Sequence, residues 1–155
     1  MWSSEVTNMI ITGIWETLYM TLVSTLVGYV IGLPMGIVLT VTDKDGIRPN
    51  AAVYKVLDVI SNLLRSIPFI ILLIVLIPFT RFVVGRSYGS TATIVPLTIA
   101  AAPYIARMVE SSLKEVDAGV IEAARSMGAS DFQIVTKVML VEARTSLICL
   151  LYTSD

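Results

Sequence analysis

The sequence of 155 residues is 55% hydrophobic and only 15% charged, and its mean hydropathy is +0.83. A soluble domain of this length cannot bury so much apolar surface, so the composition indicates an integral membrane protein. The net charge of −1 gives no reason to expect a nucleic-acid partner. Because histidine is absent and Cys149 is the single cysteine, His-dependent nucleophiles, an internal disulfide and a cysteine metal cluster are excluded. We expect no metal site and no cofactor.

Three apolar segments predict membrane-spanning helices. The first, over about residues 9–42, includes 26 consecutive uncharged residues, a helical length of about 39 Å that exceeds the hydrocarbon core. The second covers about 59–80, and the third, about 87–107, is rich in the small residues that favour helix–helix packing. A last uncharged run, 145–154, is too short to span. The predicted fold class is therefore an all-α polytopic membrane protein with three transmembrane helices and an incomplete fourth span.

The basic residues predict the orientation of these spans. If the spans alternate in direction, nine of the eleven Lys and Arg residues lie on one side of the membrane, and only Arg81 and Arg86 lie on the other. The positive-inside rule then places the N-terminus outside and residues 43–56 and 108–140 in the cytoplasm.

Small residues and prolines inside the spans are candidate sites of packing or bending. Gly28, Gly32 and Gly36 recur every four residues around Pro34, which predicts a groove that another helix can approach closely. The later spans carry four further candidate kinks, at Pro68, Pro78, Pro96 and Pro103. Ordinary helix packing and a moving interface both fit this pattern.

Asp58, Asn62 and Arg65 form one polar stripe at the inner end of the second span, because they fall at positions i, i+4 and i+7. Polar residues at membrane depth favour a functional role, here the cytoplasmic mouth of a path. The alternative is a stripe at the membrane interface in which Arg65 reaches the lipid headgroups.

The loop over 108–142 is predicted to contain a short capped helix outside the membrane. Asp117 is a plausible N-cap for a helix over residues 118–127, and Gly128 suits the left-handed position after it. Ser130 and Gln133 match a capping box that opens the next helix.

The short helix carries the sequence Glu122-Ala123-Ala124, which places one carboxylate beside two very small side chains. A helix that docks on a partner needs close approach and one polar anchor, and this sequence supplies both. An amphipathic helix on the membrane surface is the alternative interpretation.

Taken together, the pattern Glu122-Ala123-Ala124, three residues, Gly128, nine residues, Val138-Met139-Leu140 resembles the EAA loop of ABC importer permeases. The segments Arg65–Leu73 and Ala102–Glu110 are similar to the permeases of the methionine (D-methionine) uptake family. The resemblance covers a transmembrane domain over residues 10–144. It departs at Val141, where the family has proline, and residues 145–155 resemble nothing in the family and are interpreted as an aberrant tail.

The resemblance implies a homodimeric permease of the bacterial inner membrane that imports methionine by alternating access. It implies no enzymatic activity in this chain, since a separate ATPase dimer hydrolyses ATP and an extracytoplasmic substrate-binding protein delivers the substrate. Coupling to the ATPase falls to Glu122, Ala123, Ala124 and Gly128. A permease for another amino acid or small solute, or a non-transporting membrane scaffold, remains an alternative. Because the family has two further spans, we expect the chain as written to be inactive and unstable.

Overall fold

The structure is a computed structural model that describes residues 3–153. Helices form the whole architecture of this range. No strand occurs in that range, and the predicted all-α class is confirmed. The helices, in chain order, are α1 (Ser4–Thr42), α2 (Ala51–Ser66), α3 (Phe69–Val75), α4 (Ile77–Val84), α5 (Ser90–Lys114), α6 (Ala118–Ser126), α7 (Asp131–Gln133), α8 (Leu140–Glu142) and α9 (Arg144–Thr153). A π-helical segment, Ile134–Met139, joins α7 to α8.

The two longest helices, α1 and α5, are each long and apolar enough to cross a membrane, and they pack along each other. Their contact rests on small residues of α1 that repeat every four positions and are buried: Ser24, Gly28, Gly32, Gly36 and Thr40. A Cβ atom added to Gly32 would lie only 2.8 Å from the carbonyl oxygen of Ala102, and one on Gly36 would lie 2.6 Å from that of Ala106. The backbones of the two helices therefore approach so closely that these positions exclude any side chain.

Only the second half of α1 takes part in this packing. All of its buried residues lie between Ser24 and Thr40, whereas residues 3–19 are exposed. The exposed half carries large apolar side chains such as Met9, with 73% exposure, and Trp15, with 72%. Such a surface suits a lipid environment, where apolar side chains face outward.

The predicted second span, 59–80, is not one straight helix. Its residues are divided among α2, α3 and α4, and the axes of α2 and α3 meet at a bend of 107°. The break lies at Ile67, which has an extended backbone (φ −79°, ψ 125°) because the following Pro68 disfavours the helical conformation. Taken together, α2 and α3 are long and apolar enough to form either a broken span or a re-entrant loop.

The other prolines of the spans have different surroundings. Pro78 lies in the first turn of α4, where a missing N–H group is harmless. Pro34 lies inside α1, and Pro96 and Pro103 lie inside α5, and both helices continue through them. Helix α5 also extends to Lys114, beyond the end predicted for the third span at about residue 107.

The main apolar core lies at the C-terminal end of α5. Ile105, Val109 and Leu113 are at most 2% exposed, and they form one cluster with residues from the segments that follow α5. Those partners are Ala124, Ile134, Met139, Ala143 and Leu147. The cluster therefore holds α6 and the later helices against the end of α5.

Candidate functional site

Helix α6, which carries the Glu-Ala-Ala sequence, is capped at both ends as predicted. The Asp117 side chain accepts a hydrogen bond of 2.6 Å from the backbone N–H of Gly119. At the other end, Gly128 has φ 82°, and the N–H groups of Gly128 and Ala129 donate to the carbonyls of Arg125 and Ala124 at 3.0 and 3.1 Å. This pair of bonds is a Schellman motif, which requires a left-handed residue that glycine adopts without strain. The helix ends at Ser126, one residue before the predicted end.

The segment after α6 also begins as predicted. The Gln133 side chain accepts from the Ser130 backbone N–H at 3.0 Å, and the Ser130 hydroxyl accepts from the Gln133 N–H at 3.4 Å, which completes the capping box. The π-helical segment that follows was not predicted. It buries Ile134 and Met139, with 0% and 3% exposure, against the cluster beneath α5.

The three residues of the Glu-Ala-Ala sequence do not share one face. Glu122 and Ala123 are exposed, whereas Ala124 is only 5% exposed and belongs to the apolar cluster. Because successive helical residues are rotated by about 100°, only part of a three-residue run can face outward. Ala124 therefore packs α6 against its own chain, and the coupling role of Glu122, Ala123, Ala124 and Gly128 stays a prediction.

An apolar strip that sequence reasoning missed lies next to Ala123. Val120 and Met127 are 42% and 81% exposed and, with Ala123, occupy positions i, i+3 and i+7 of one helical side. Phe132 on α7 is 76% exposed. We call Val120, Ala123 and Met127 the exposed strip. The i, i+3, i+7 spacing was visible in the sequence, but only burial shows that it faces away from the core.

Polar contacts attach α6 to the loop between α1 and α2. The Arg125 guanidinium donates to the carbonyl of Ile47 at 3.2 Å and lies 3.7 Å from Asp131, whose carboxylate is 4.0 Å from Arg48. Between this loop, the end of α5 and α6 lies a cleft of about 490 Å³, and Glu122 is on its wall. The loop, α6 and α7 therefore form one continuous surface.

A polar network close to this surface connects α1, α2 and α5. Its centre is Glu110 of α5. The residue is only 3% exposed, and its carboxylate accepts hydrogen bonds from Arg107 and Lys114, each at 2.8 Å, and from the Tyr54 hydroxyl at 3.3 Å. Lys114 also lies over the Tyr54 ring, 5.8 Å from its centroid. A buried carboxylate is stable in such a place because donors surround it.

The cations of the network reach the two neighbouring helices. Lys114 makes an ion pair of 2.6 Å with Asp43, the residue that follows α1. This hydrogen bond from Lys114 is the main cause that holds the pKa of Asp43 below its usual value. Glu110 and Lys114 are four residues apart on one helix, a spacing that can be seen in the sequence, whereas the long-range contacts cannot.

Two of the three candidate mouth residues belong to this network. Asp58 is paired with Arg107, and Asn62 accepts a hydrogen bond of 3.3 Å from Arg107 and donates one of 3.2 Å to Asp58. Arg65, the third member of the predicted stripe, is exposed. The structure thus directs Asp58 and Asn62 toward α5 and separates them from Arg65.

Comparison with known proteins identifies relatives of this architecture. Residues 28–154 match the family described as "Binding-protein-dependent transport system inner membrane component". The D-methionine transport system permease proteins MetI of Salmonella typhimurium and of Escherichia coli K12 are each 55% identical over 140 residues. These matches cover 90% of this chain and 64% of the relative, so the chain spans slightly less than two thirds of the relatives' length.

Solved structures of ABC transporters are also similar to this chain. A chain of the MetNI methionine ABC transporter, in an inward-facing native crystal form, superposes with a TM-score of 0.94 at 52% identity. That match covers 97% of this chain and 69% of the other. An amino acid ABC transporter with histidines, 23% identical with a TM-score of 0.61, shares the fold.

Proposed function

Because the chain belongs to the family of binding-protein-dependent transport system inner membrane components, we propose that it is the permease part of an ATP-driven importer of methionine in the bacterial inner membrane. The observation that carries the proposal is the superposition of 97% of the chain on the MetNI methionine ABC transporter at 52% identity. The D-methionine permeases, 55% identical, support methionine as the substrate, with the D isomer included.

Helix α6 supports a coupling role. It lies outside the candidate spans, and its Val120, Ala123 and Met127 face away from the apolar cluster. We infer that the exposed strip docks on a separate ATPase subunit, with the carboxylate of Glu122 as a polar anchor at its side. Gly128 contributes the left-handed turn that ends the docking helix, and Ala124 contributes by fixing α6 to α5.

In this proposal the chain itself hydrolyses no ATP. Its sequence contains no Gly-rich phosphate loop followed by lysine, so ATP binding is assigned to the partner ATPase dimer. Closure of that dimer draws the α6 helices of two permease copies together. The substrate path between the spans then opens alternately to each side of the membrane. An extracytoplasmic binding protein delivers the substrate, and membrane lipid covers the exposed apolar surface of α1.

The orientation in the membrane is part of the same proposal. Nine of the eleven basic residues lie either between the end of α1 and the end of α2 or from Arg107 onward, which favours the cytoplasm for both regions. This places the N-terminus outside and puts α6 on the side where ATP is available. The helix directions are consistent with it, because α1 and α5 pack in parallel: Gly28 faces Ala101, and Gly36, later in the chain, faces Val109.

A chimeric permease tests the proposal. The matching residues of this chain replace the corresponding 140 residues of the Salmonella typhimurium relative, and the chimera is produced with that relative's ATPase and binding protein in a strain without the original permease. We expect ATP-dependent uptake of methionine that unlabelled D-methionine inhibits. Uptake of a different amino acid in its place would support the alternative substrate. Correct membrane insertion and ATPase binding without any uptake would support a non-transporting scaffold.

A further inference from the structure

The polar network joins three helices through one buried carboxylate. Glu110 binds Arg107 and Lys114, and each of these cations continues to a different helix: Arg107 to Asp58 of α2, and Lys114 to Asp43 at the end of α1. Tyr54 adds a direct bond from α2 to Glu110. The three helix ends are therefore connected by charged hydrogen bonds as well as by apolar packing.

The burial of Glu110 argues that these contacts persist during a conformational change. Its side chain is 5% exposed, so a movement that removed the donors would leave an ionised carboxylate in a place that water does not reach. Such a state is strongly unfavourable, in contrast to the breaking of an exposed ion pair. The close approach of α1 to α5 at Gly36 also lies beside the network and restricts sliding of the two helices.

The position of the network relates it to α6. Only residues 115–117 separate α5 from α6, and Ala124 of α6 packs into the cluster at the end of α5. A displacement of α6 thus acts directly on α5. The network then transmits this displacement to α2, the helix that leads into the bend at Pro68.

We propose that Glu110 is a positioning residue that holds the ends of α1, α2 and α5 as one rigid unit, so that movement of α6 reaches the bent α2–α3 segment. The inference rests on the proposed function for its role in transport. The rigidity of the unit can be measured independently of transport.

The experiment uses the chimeric permease with its ATPase in lipid vesicles, in a Cys149→Ser background. Glu110→Gln keeps the shape of the side chain and removes its charge, and Tyr54→Phe removes one donor without burying a new polar group. The matched control is Glu115→Gln, because Glu115 is exposed and bonds only weakly to Ser146 at 3.3 Å. Two measurements are made on each variant. The first is the amount of methionine taken up per ATP hydrolysed. The second is the distance between spin labels at Lys55→Cys on α2 and Ser111→Cys on α5, both exposed positions, in transporters in which only one of the two permease copies carries the labels.

With Glu110 present, we expect one narrow distance distribution that is the same without nucleotide and in the ATP-trapped state. Glu110→Gln should broaden it and lower the uptake per ATP about fivefold or more, the lower range of coupling between sites. Tyr54→Phe should lie between Glu110→Gln and the control, which should match the unmodified chain. A distance that changes on ATP binding with Glu110 present, or a Glu110→Gln variant equal to the control, would overturn the inference. If the unmodified chimera takes up no methionine, the proposed function fails, and the distance measurement still decides on the rigid unit.

Discussion

Ala123 and Ala124 are neighbours in the sequence, but they face opposite environments. Ala124 is 5% exposed and contacts the apolar cluster beneath α5, whereas Ala123 is exposed next to Val120 and Met127. One alanine thus belongs to the core of this chain and the other to the surface that we propose to dock on the ATPase. The same substitution made at each of these two positions can therefore distinguish an effect on folding from an effect on docking.

We expect Ala124→Arg and Ala123→Arg to fail in different ways. Arginine at 124 places a charge in the apolar cluster and should destabilise the fold by several kcal/mol, because the surrounding side chains of the cluster are hydrophobic. Arginine at 123 should leave the fold intact and prevent close approach of the ATPase. Membrane abundance and thermal unfolding of the chimeric permease report the first effect, and ATPase co-purification reports the second.

The matched control for this pair is Ala51→Arg, because Ala51 is an exposed alanine at the start of α2. It should change neither folding nor ATPase binding. Normal ATPase co-purification with Ala123→Arg would contradict the docking role of the exposed strip.

Substitution of Gly128 should act through backbone strain alone. Its φ is 82°, and an added Cβ would meet no atom of the described residues within 4 Å, so steric conflict with them plays no part. Gly128→Ala should destabilise the protein by about 1–2 kcal/mol, and Gly128→Asn by less, because asparagine tolerates the left-handed region better. Thermal unfolding in detergent measures both. Equal stability of the two variants would argue against strain as the cause.

The close approach of α1 and α5 predicts a strong effect at Gly32. Gly32→Leu would force a side chain into a space where even a Cβ lies 2.8 Å from Ile105 and from the Ala102 carbonyl, and should cost about 1–3 kcal/mol or separate the helices. Gly13→Leu is the control, since Gly13 lies on the same helix and, among residues 3–153, no atom lies within 4 Å of an added Cβ. Comparable unfolding temperatures for the two variants would show that the helices can move apart at little cost.

The pair of Asp43 and Lys114 predicts a pH dependence of stability. The pKa of Asp43 is lowered in the folded chain, so the pair stabilises it fully above the ordinary aspartate pKa of about 3.9. This stabilisation is lost as the pH falls through the lower, folded-state value. Asp43→Asn should therefore reduce stability by about 1 kcal/mol at pH 7.

The difference between Asp43→Asn and the unmodified chain should vanish in acid, as the carboxyl of Asp43 becomes protonated. Unfolding midpoints measured between pH 7 and pH 3 give the comparison. A constant difference over this range would mean that the charge of Asp43 is irrelevant.

The orientation can be tested by labelling single cysteines from outside, in a Cys149→Ser background. Asp45→Cys and Ser130→Cys, at exposed loop positions, should react only after the membrane is permeabilised. Ser87→Cys, exposed in the connection between α4 and α5, should react at once. Immediate reaction at position 45 or 130 would reverse the proposed topology.

The features that the sequence predicted correctly are those that depend on residues close together in the chain. The Asp117 cap, the left-handed Gly128 and the Ser130–Gln133 box each form within a few residues, so local pattern is sufficient. The contact between Tyr54 and Glu110 joins residues 56 positions apart. It depends on how α2 packs on α5, which the helical pattern of neither segment specifies.

The prolines also show that a sequence pattern alone does not specify the structure. The pattern marked Pro68 and Pro103 equally, yet the chain breaks before the first and the helix continues through the second. Pro103 is fully buried in α5, which packs along α1, and the surrounding contacts hold the helix together at that point. Whether a proline bends a helix is thus decided by its neighbours in space.

The confinement of α1 packing to the residues after Ser24 makes the first half of this helix a lever arm. Gly28 and Ser4 are about 36 Å apart along the helix axis, at about 1.5 Å per residue. A bend of about 10° in α1 near Gly28 would therefore carry Ser4 through about 6 Å, while the packed residues from Gly28 to Gly36 keep their contacts with α5. A small change of direction where the packing begins thus becomes a displacement of several ångström at the far end of the helix, where the large exposed apolar side chains lie.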